Sequence, residues 1–409
     1  MSKPERSILW IDANLEHRSP TMRHLLHALP RLREEGWKIT ARCLRSDAPR
    51  DAVEHVFFAP KWLGPFELMY FALRVNLHGL LRWVLRKPRP AAVIHATCGT
   101  YLAGNLVSVH FVSAVWLAKL WKLGFGSIKE MLTLPFVLLG AIVERLTWWS
   151  PTVREILAVS DSIAEEVRRR APRRAIISTL PNSYDETRFH PGVRERFRES
   201  MRSELRFAAE HRVFVFVSQG HYRRKGFWLA VAALAELRKK GRSDLRLLVV
   251  GGTPETLDRL RRELPRHAVD WKDWVLLAGM QAEVEKFYAA ADAFLFPSYF
   301  EAFCLAEIEA AACGLPLLLT PHHSTEMILK DGINGRLLSF DPVEMSRQLE
   351  AFMAEGLPAS RRAQAAVWAV TILPRNCCPH TSGSSKPVRA HPREILRRSH
   401  QRGPKDGRG

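Results

Sequence analysis

Two glutamates, Glu301 and Glu309, lie eight positions apart in the segment SYFEAFCLAEIEAAACGLP, residues 298–316. Helical periodicity begins near Cys304 and stops at Gly314, so Glu301 stands just before a helix and Glu309 lies more than a turn inside it. Eight helical rises place them up to about 12 Å apart. That exceeds the roughly 5–9 Å between the paired carboxylates of a glycosidase. The spacing matches a sugar-diphosphate-ribose, whose diphosphate would face the helix N-terminus.

A basic loop follows an apolar strand earlier in the chain. In VSQGHYRRKGFWLA, residues 217–230, the pair Arg224 and Lys225 precedes Gly226 and a helical stretch. Two fixed cations beside a leaving nucleoside diphosphate can stabilise its developing charge without a metal ion. A solvated basic loop is the alternative. Its position after a strand, together with the downstream glutamates, favours anion binding.

From Ser298 to Leu338 the sequence resembles the retaining, family-4 (group 1) glycosyltransferases. Their signature is Glu-x-Phe-x-Leu, a second Glu eight positions after the first, then Ala-x-Ala-x-Gly-x-Pro, and further on Glu followed by Asp-Gly-x-Asn-Gly. The matching positions here are Glu301, Phe303, Leu305, Glu309, Gly314, Pro316, Glu326, Asp331, Gly332, Asn334 and Gly335.

This resemblance implies an α/β protein of GT-B architecture, with two Rossmann-like domains whose parallel sheets face a central cleft. It implies transfer of a hexose from a nucleoside-diphosphate sugar to an acceptor hydroxyl, with retention and with neither a metal ion nor another cofactor. Glu301 would contact the donor sugar, Glu309 would hold the ribose, and Arg224 and Lys225 would hold the diphosphate. Front-face transfer assisted by the leaving phosphate suits Glu301 better as an orienting group than as a nucleophile. The other donor-binding positions are Gly220, Phe303, Cys304 and Leu305, with Arg223, Met280 and Gln281 as further candidates.

A histidine at a strand end completes the predicted catalytic set. His110 ends an apolar run in NLVSVHFVSAVW, where family members carry a His near the donor sugar and the acceptor. A neutral imidazole there can hydrogen-bond the sugar or position the acceptor hydroxyl. A satisfied strand-end histidine is the alternative, and His95 is a second candidate. The first strand departs from the family, because DANLEHRSPTMRHLL replaces the usual Gly-Gly loop.

Short apolar strands alternate with helical stretches along the chain, which predicts parallel sheets covered on both faces. The predicted organisation is an acceptor-side Rossmann-like domain at residues 1–181, a linker at 182–192, and a nucleotide-sugar-binding Rossmann-like domain at 193–360. A basic, disordered tail at 361–409 follows, because that stretch holds too little apolar surface to order itself. The linker matches the family at four positions that we interpret as architectural: Asn182, Asp185, Phe189 and Pro191.

Composition narrows the class of protein. The 409 residues are 47% hydrophobic and carry a formal charge of +19, which favours anionic partners. No metal-ligand or disulfide spacing joins the six cysteines, which fits a reducing compartment. No signal peptide is evident, and the longest apolar run has 13 residues, against the roughly 20 that a membrane span needs. We therefore expect a cytoplasmic protein, and no nucleic-acid partner, because no nucleic-acid-binding motif is present.

Two basic, aromatic stretches suggest where an acceptor comes from. Residues 61–87 and residues 115–131 mix Trp, Phe and Leu with Arg and Lys. Such helices can lie on an anionic membrane, here its cytoplasmic face. Helices packed on the sheet with Arg and Lys snorkelling outward are the alternative. On the membrane interpretation the acceptor is lipid-linked: a glycolipid, or a lipopolysaccharide or other cell-envelope glycan.

Two rival functions stay open at this level. The tail holds 11 Lys and Arg against 2 acids and shows no counterpart of the family's closing helices. The chain can therefore be a catalytically impaired nucleotide-sugar-binding protein with an aberrant C-terminus. A nucleic-acid-binding protein is the second rival, and only the positive charge supports it.

Overall fold

The computed structural model describes residues 6–16, 23–49, 51, 55–57, 66–87, 90–124 and 131–355. A seven-stranded parallel sheet occupies the N-terminal part. Its strands are β1 (Ser7–Ile11), β3 (Lys38–Cys43), β5 (His55–Val56), β6 (Val93–Thr97), β7 (Leu106–Val109), β8 (Glu155–Ala158) and β9 (Ile176–Thr179). Their order across the sheet is β5-β3-β1-β6-β7-β8-β9. A separate short pair joins β2 (Asn14–Leu15) to β4 (Arg45–Ser46).

A six-stranded parallel sheet occupies the C-terminal part. Its strands are β10 (Arg212–Val217), β11 (Leu245–Val250), β12 (Val275–Gly279), β13 (Ala293–Phe296), β14 (Leu317–Leu319) and β15 (Gly335–Leu337). Their order is β12-β11-β10-β13-β14-β15. The two parallel sheets confirm the predicted α/β class. Every strand predicted from an apolar run is present within the described residues.

Helices cover both sheets. Those of the first part are α1 (Arg23–Glu34), α2 (Glu67–Val84), α3 (Ser113–Leu123), α4 (Leu134–Trp149) and α5 (Asp161–Arg168). Those of the second are α6 (Gly192–Glu204), α7 (Phe227–Lys239), α8 (Pro254–Glu263), α9 (Val284–Ala290), α10 (Leu305–Ala312), α11 (Thr325–Ile328) and α12 (Pro342–Ala354). The central strands of the second sheet are buried on both faces, which is why they read as continuous apolar runs.

The segment between β9 and α6 contains the predicted linker. Phe189 is buried and packs its ring 6.2 Å from Tyr288, while Asn182 is buried as well. The next helix, α6, is joined to the second sheet by ion pairs, the shortest of which is 2.6 Å between Arg198 and Asp292. These contacts fit an architectural role for the linker motif. The domain boundaries stay a prediction, and residues 361–409 lie outside the described residues.

Two helices of the first part leave large apolar side chains exposed. Along α2 only Phe71 and Val75 are buried. The exposed side chains of α2 and α4 include Leu68, Met69, Leu73, Leu77, Leu80, Leu81, Trp83, Val84, Leu138, Leu139, Ile142, Leu146 and Trp149. The two helices meet through Phe66, just before α2, and Phe136, within α4, whose ring centroids lie 5.2 Å apart. No helix among the described residues is long and apolar enough to cross a membrane.

Candidate active site

The candidate site lies where the strand order of the second sheet reverses, between β10 and β13. The loop after β10 carries Arg224, and the loop after β13 carries Glu301. The Arg224 carbonyl oxygen joins the two loops: it accepts hydrogen bonds from the Tyr299 N–H at 2.9 Å and the Ser298 hydroxyl at 3.3 Å. Open parallel sheets bind ligands at such a reversal, beyond the carboxyl ends of the strands.

A glycine fixes the backbone of the basic loop. Gly226 caps the start of α7 with φ +74°, and a Cβ atom at this position would lie 1.8 Å from the Pro297 carbonyl oxygen. Only glycine fits so close an approach in this conformation. Arg224 and Lys225 are thereby held beside the loop that follows β13.

The carboxylate of Glu301 faces both cations of that loop. Its Oε1 atom lies 3.8 Å from Lys225 Nζ and 3.9 Å from Arg224 Nη2. Ser298 also donates its hydroxyl to this oxygen at 3.3 Å. Burial alone would raise the pKa of Glu301, but Lys225, Arg224 and then His322 together bring that pKa below its ordinary value. Glu301 is therefore ionised at neutral pH, and its charge offsets only one of the two cations.

The second glutamate lies inside α10, as its spacing predicted. Glu309 is buried, and a hydrogen bond links it to the phenol of Tyr288, which also donates to the Ala306 carbonyl oxygen at 3.3 Å. Cys304 stands immediately before α10 with extended backbone, so the helix begins where the sequence predicted. Of the other predicted donor-binding positions, Phe303 and Cys304 are buried, while Leu305 is half-buried.

Gly220 lies in the same basic loop. A Cβ atom at this glycine would have no atom within 4 Å, so open space adjoins its backbone. Its N–H donates to the Ser218 hydroxyl at 3.2 Å.

The first sheet reaches this site through aromatic contacts. His110 directly follows β7, as predicted. The next residue, Phe111, packs edge-to-face against Phe300, with ring centroids 5.1 Å apart. The guanidinium of Arg224 lies 6.0 Å from the Phe111 ring and 5.9 Å from the Trp116 ring. The strand end that carries His110 is therefore adjacent to the Glu301 loop.

A cavity of about 170 Å³ opens between α3 and the basic loop. Trp116, Trp228 and Tyr299 supply its aromatic walls, and Arg223 and Arg224 supply its charge. Arg223 donates to the carbonyl oxygens of Leu123 at 3.2 Å and Gly124 at 2.9 Å, beyond the C-terminus of α3. Its guanidinium thus binds the first part of the chain. A contact of Arg223 with the donor stays a prediction.

Comparison with known proteins agrees with this geometry. The family model "Glycosyl transferases group 1" matches residues 211–355. The chain is 28% identical over 291 residues to the alpha-maltose-1-phosphate synthase of Mycobacterium tuberculosis, covering 66% of this chain and 69% of that protein.

The chain is a glycosyltransferase with the GT-B fold.

Two further comparisons are consistent with this identification. The GDP-mannose-dependent alpha-mannosyltransferase of Corynebacterium glutamicum is 31% identical to this glycosyltransferase over 187 residues, covering 45% of this chain and 40% of that protein. The crystal structure of WaaG, a glycosyltransferase involved in lipopolysaccharide biosynthesis, superposes with a TM-score of 0.67 at 18% identity, over 89% of this chain and 95% of WaaG. At that identity the likeness shows the shared fold.

Other motif positions of this glycosyltransferase serve its backbone. Asn334 is buried, donates to the Ile328 carbonyl oxygen at 2.9 Å and accepts from the Lys330 N–H at 2.7 Å. Asp331 accepts from the Leu337 N–H at 2.8 Å. The Asp-Gly-x-Asn-Gly stretch therefore shapes the turn before β15. Met280 and Gln281, which were further donor-binding candidates, are exposed, and so is Glu326.

Sequence reasoning missed three polar residues near the carboxyl ends of the strands. Asp12 follows β1 where the first sheet reverses its order; burial raises its pKa to about 6, although Asn14 and Thr97 hydrogen bonds counter the rise. Glu307 on α10 and His322 after β14 form a buried pair. An acid directly after the run SILWI was a usable signal for Asp12. Nothing in the local sequence joined Glu307 to His322.

Within the described ranges, no three His, Cys, Asp or Glu side chains are grouped as metal ligands would be. The metal-independent reaction stays a prediction.

Proposed function

We propose that this glycosyltransferase moves a hexose from a nucleoside-diphosphate sugar to an acceptor hydroxyl with retention of the anomeric configuration. The observation that carries the proposal is the meeting of Glu301 with Arg224 and Lys225 at the reversal between β10 and β13. One carboxylate against two cations leaves a net positive charge. A diphosphate would complete the balance through charge-assisted hydrogen bonds.

The charged residues of the predicted site divide the donor among them. Arg224 and Lys225 hold the leaving diphosphate, and Glu301 accepts hydrogen bonds from the sugar hydroxyls. The backbone N–H groups at the start of α10 bind the phosphates, and the open space beside Gly220 leaves room for them. Glu309 holds the ribose hydroxyls, because an ionised carboxylate accepts two vicinal donors.

The transfer itself takes place on one face of the sugar. The bond from C1 to the phosphate oxygen breaks as the acceptor oxygen forms its bond to C1. The acceptor proton passes to the departing phosphate oxygen. Glu301 orients the sugar, and His110 positions the acceptor hydroxyl. Because two cations neutralise the leaving group, neither a metal ion nor another cofactor is needed.

The acceptor side supports a cell-envelope glycan or glycolipid. The cavity beside Arg224 has Trp and Tyr walls that suit a sugar ring. On α2, the apolar side chains Leu73 and Trp83 are 68% and 76% exposed, and the basic Arg74 is exposed with them. Arg86 and Lys87, just after the helix, are also exposed. We infer that this face rests on an anionic membrane, with the apolar side chains inserted and the basic ones at the headgroups. The proposed location is the cytoplasmic face of that membrane.

A ligand screen tests the donor site. Thermal unfolding is followed with UDP, GDP, ADP, CMP and their common sugars, for wild type, Glu309→Gln and the exposed control Glu199→Gln on α6. At 100 times its Kd, one nucleotide should stabilise the wild type and the control by about 2.7 kcal/mol. The shift should persist in EDTA and vanish in Glu309→Gln.

The outcome separates the proposal from its rival. Release of nucleoside diphosphate, with NMR of the product anomer, measures transfer and retention. A nucleotide shift without transfer would favour the catalytically impaired binding protein. The absence of a shift with every nucleotide would overturn the donor site.

A further inference from the structure

A carboxylate and an imidazole are buried together within the second part of the chain. Glu307 Oε1 lies 2.9 Å from His322 Nε2, and both side chains are 0% exposed. Removing two such groups from water costs several kcal/mol per ion, and apolar residues of similar volume often serve stability as well or better. Stability alone therefore does not explain the pair.

The pair lies next to the loop that carries Glu301. His322 follows β14, the strand beside β13. In the same loop, Thr320 donates its hydroxyl to the Ser298 carbonyl oxygen at 2.7 Å, and the Ser298 hydroxyl donates to Glu301. Glu307 lies in the helix that begins after the Glu301 loop. The two partners thus enclose this loop from two elements.

The surroundings of the pair suit a bound proton. His322 Nδ1 lies 3.3 Å from the Ser324 hydroxyl, and Nε2 faces Glu307, so an imidazolium finds an acceptor at each nitrogen. The Glu307 oxygens and His322 Nε2 have no other hydrogen-bond partner among the described residues, so each group depends on the other. Burial raises the pKa of Glu307, and His322 counters part of the rise. With one proton the pair is neutral overall, wherever that proton lies.

Loss of that proton would place a negative charge beside Glu301. The titratable and charged groups that face the pair are Glu301, Lys225, Arg224, Cys304 and His323. A further negative charge here would compete for the cations that hold Glu301 and the diphosphate. The state with one proton is therefore the one that keeps this charge balance.

We propose that Glu307 and His322 form a proton-holding pair that positions Glu301 and keeps it ionised for the transfer. Both are positioning residues, since they act through Glu301. The expected effect of the pair on kcat rests on the proposed function. Its expected effect on the ionisation of Glu301 rests on the geometry alone.

The first measurement does not need activity. The carboxyl carbon of Glu301 is titrated by ¹³C NMR, with Glu301→Gln identifying its signal, in wild type and His322→Gln. Without the imidazole, a charge on Glu307 is no longer balanced by its partner, and it should move the Glu301 titration up by about one pH unit. The exposed control His190→Gln should leave it unchanged. An unchanged titration in His322→Gln would overturn the inference.

The second measurement is the pH profile of transfer. In wild type, kcat should fall on the alkaline side as the pair loses its proton. In Glu307→Gln this fall should move to lower pH, because the imidazolium has lost its counter-ion. Nucleotide Kd should change less than about threefold, since neither residue touches the donor.

A paired apolar variant separates positioning from structure. Glu307→Leu with His322→Leu should fold at least as stably as wild type. We expect it to have at least a tenfold lower kcat and no alkaline fall. Wild-type kcat in this variant would show a merely structural pair and overturn the inference. A wild type that binds nucleotide but transfers nothing would refute the proposed function, while the Glu301 titration still decides the pair.

Discussion

The Nζ atom of Lys225 lies 3.8 Å from Oε1 of Glu301, with both side chains largely buried. The two residues lie in loops that follow adjacent strands. Because both side chains are largely buried, solvent screens their charges only in part. Their distance makes the charge balance of the site depend on one carboxylate. It also ties the protonation of Glu301 to the loop that would hold the diphosphate.

Replacing Glu301 by Gln tests this balance. We expect kcat to fall about 100-fold or more, because the sugar loses an oriented acceptor where the transition state develops charge. Nucleoside diphosphate should bind as tightly as in wild type, since both cations become free for phosphate. Steady-state kinetics and calorimetry measure the two effects, and the exposed Glu199→Gln is the control. A wild-type kcat in Glu301→Gln would remove Glu301 from the catalytic set.

Replacing Gly226 by Ala tests the backbone of the basic loop. The added Cβ would lie 1.8 Å from the Pro297 carbonyl oxygen at φ +74°. We expect a loss of at least about 3 kcal/mol in the free energy of unfolding. The matched control is Gly241→Ala, at φ +94° with nothing within 4 Å, which should lose only about 1 kcal/mol. Urea midpoints compare the two, and equal losses would count against the close approach.

Glu144 predicts a pH dependence of folding. Burial raises its pKa from 4.5 to about 7, although hydrogen bonds from Ser113 counter the rise. The folded chain then holds the Glu144 proton more tightly than the unfolded chain. The stabilisation is therefore complete below about pH 4.5 and is lost as pH rises to about 7.

The variant Glu144→Gln should remove this dependence. At pH 8 it should be more stable than wild type by up to about 3 kcal/mol, at 1.36 kcal/mol per pKa unit. At pH 4.5 the two should be alike. Urea unfolding across this range tests it, with Glu326→Gln as control. Parallel stability curves for wild type and Glu144→Gln would contradict the raised pKa.

Leu73→Glu tests the proposed membrane face on α2. Leu73 is 68% exposed, and burying a leucine in apolar surroundings contributes about 1.5–3 kcal/mol. Binding to vesicles with anionic lipid should weaken about tenfold or more. Val269, 94% exposed in the second part of the chain, provides the matched control Val269→Glu. Sedimentation with anionic and neutral vesicles measures both, and equal losses would exclude α2 as the contact surface.

The sequence by itself determined the local elements and the family. Strands buried on both faces must be continuous apolar runs, so AFLF and LLL in the second part predicted β13 and β14. The same holds for α10, whose start after Cys304 follows from short-range periodicity. The spacing of Glu301 and Glu309 needed only that helix. The strands, the start of α10 and the spacing of the two glutamates all depend on residues close together in the chain, so the sequence alone predicts them.

Only the tertiary structure decided which side chains meet. The placement of β10 beside β13 brings Lys225 to Glu301, and strand order is not written in periodicity. Arg223 reaches the carbonyl oxygens after α3, and His322 reaches Glu307, across distances in sequence that no local pattern covers. The sequence likewise could not predict that the apolar side chains of α2 are exposed. A helical pattern reveals an apolar face but not which element packs against it. Packing between distant elements settles such contacts, and it exists only in the folded chain.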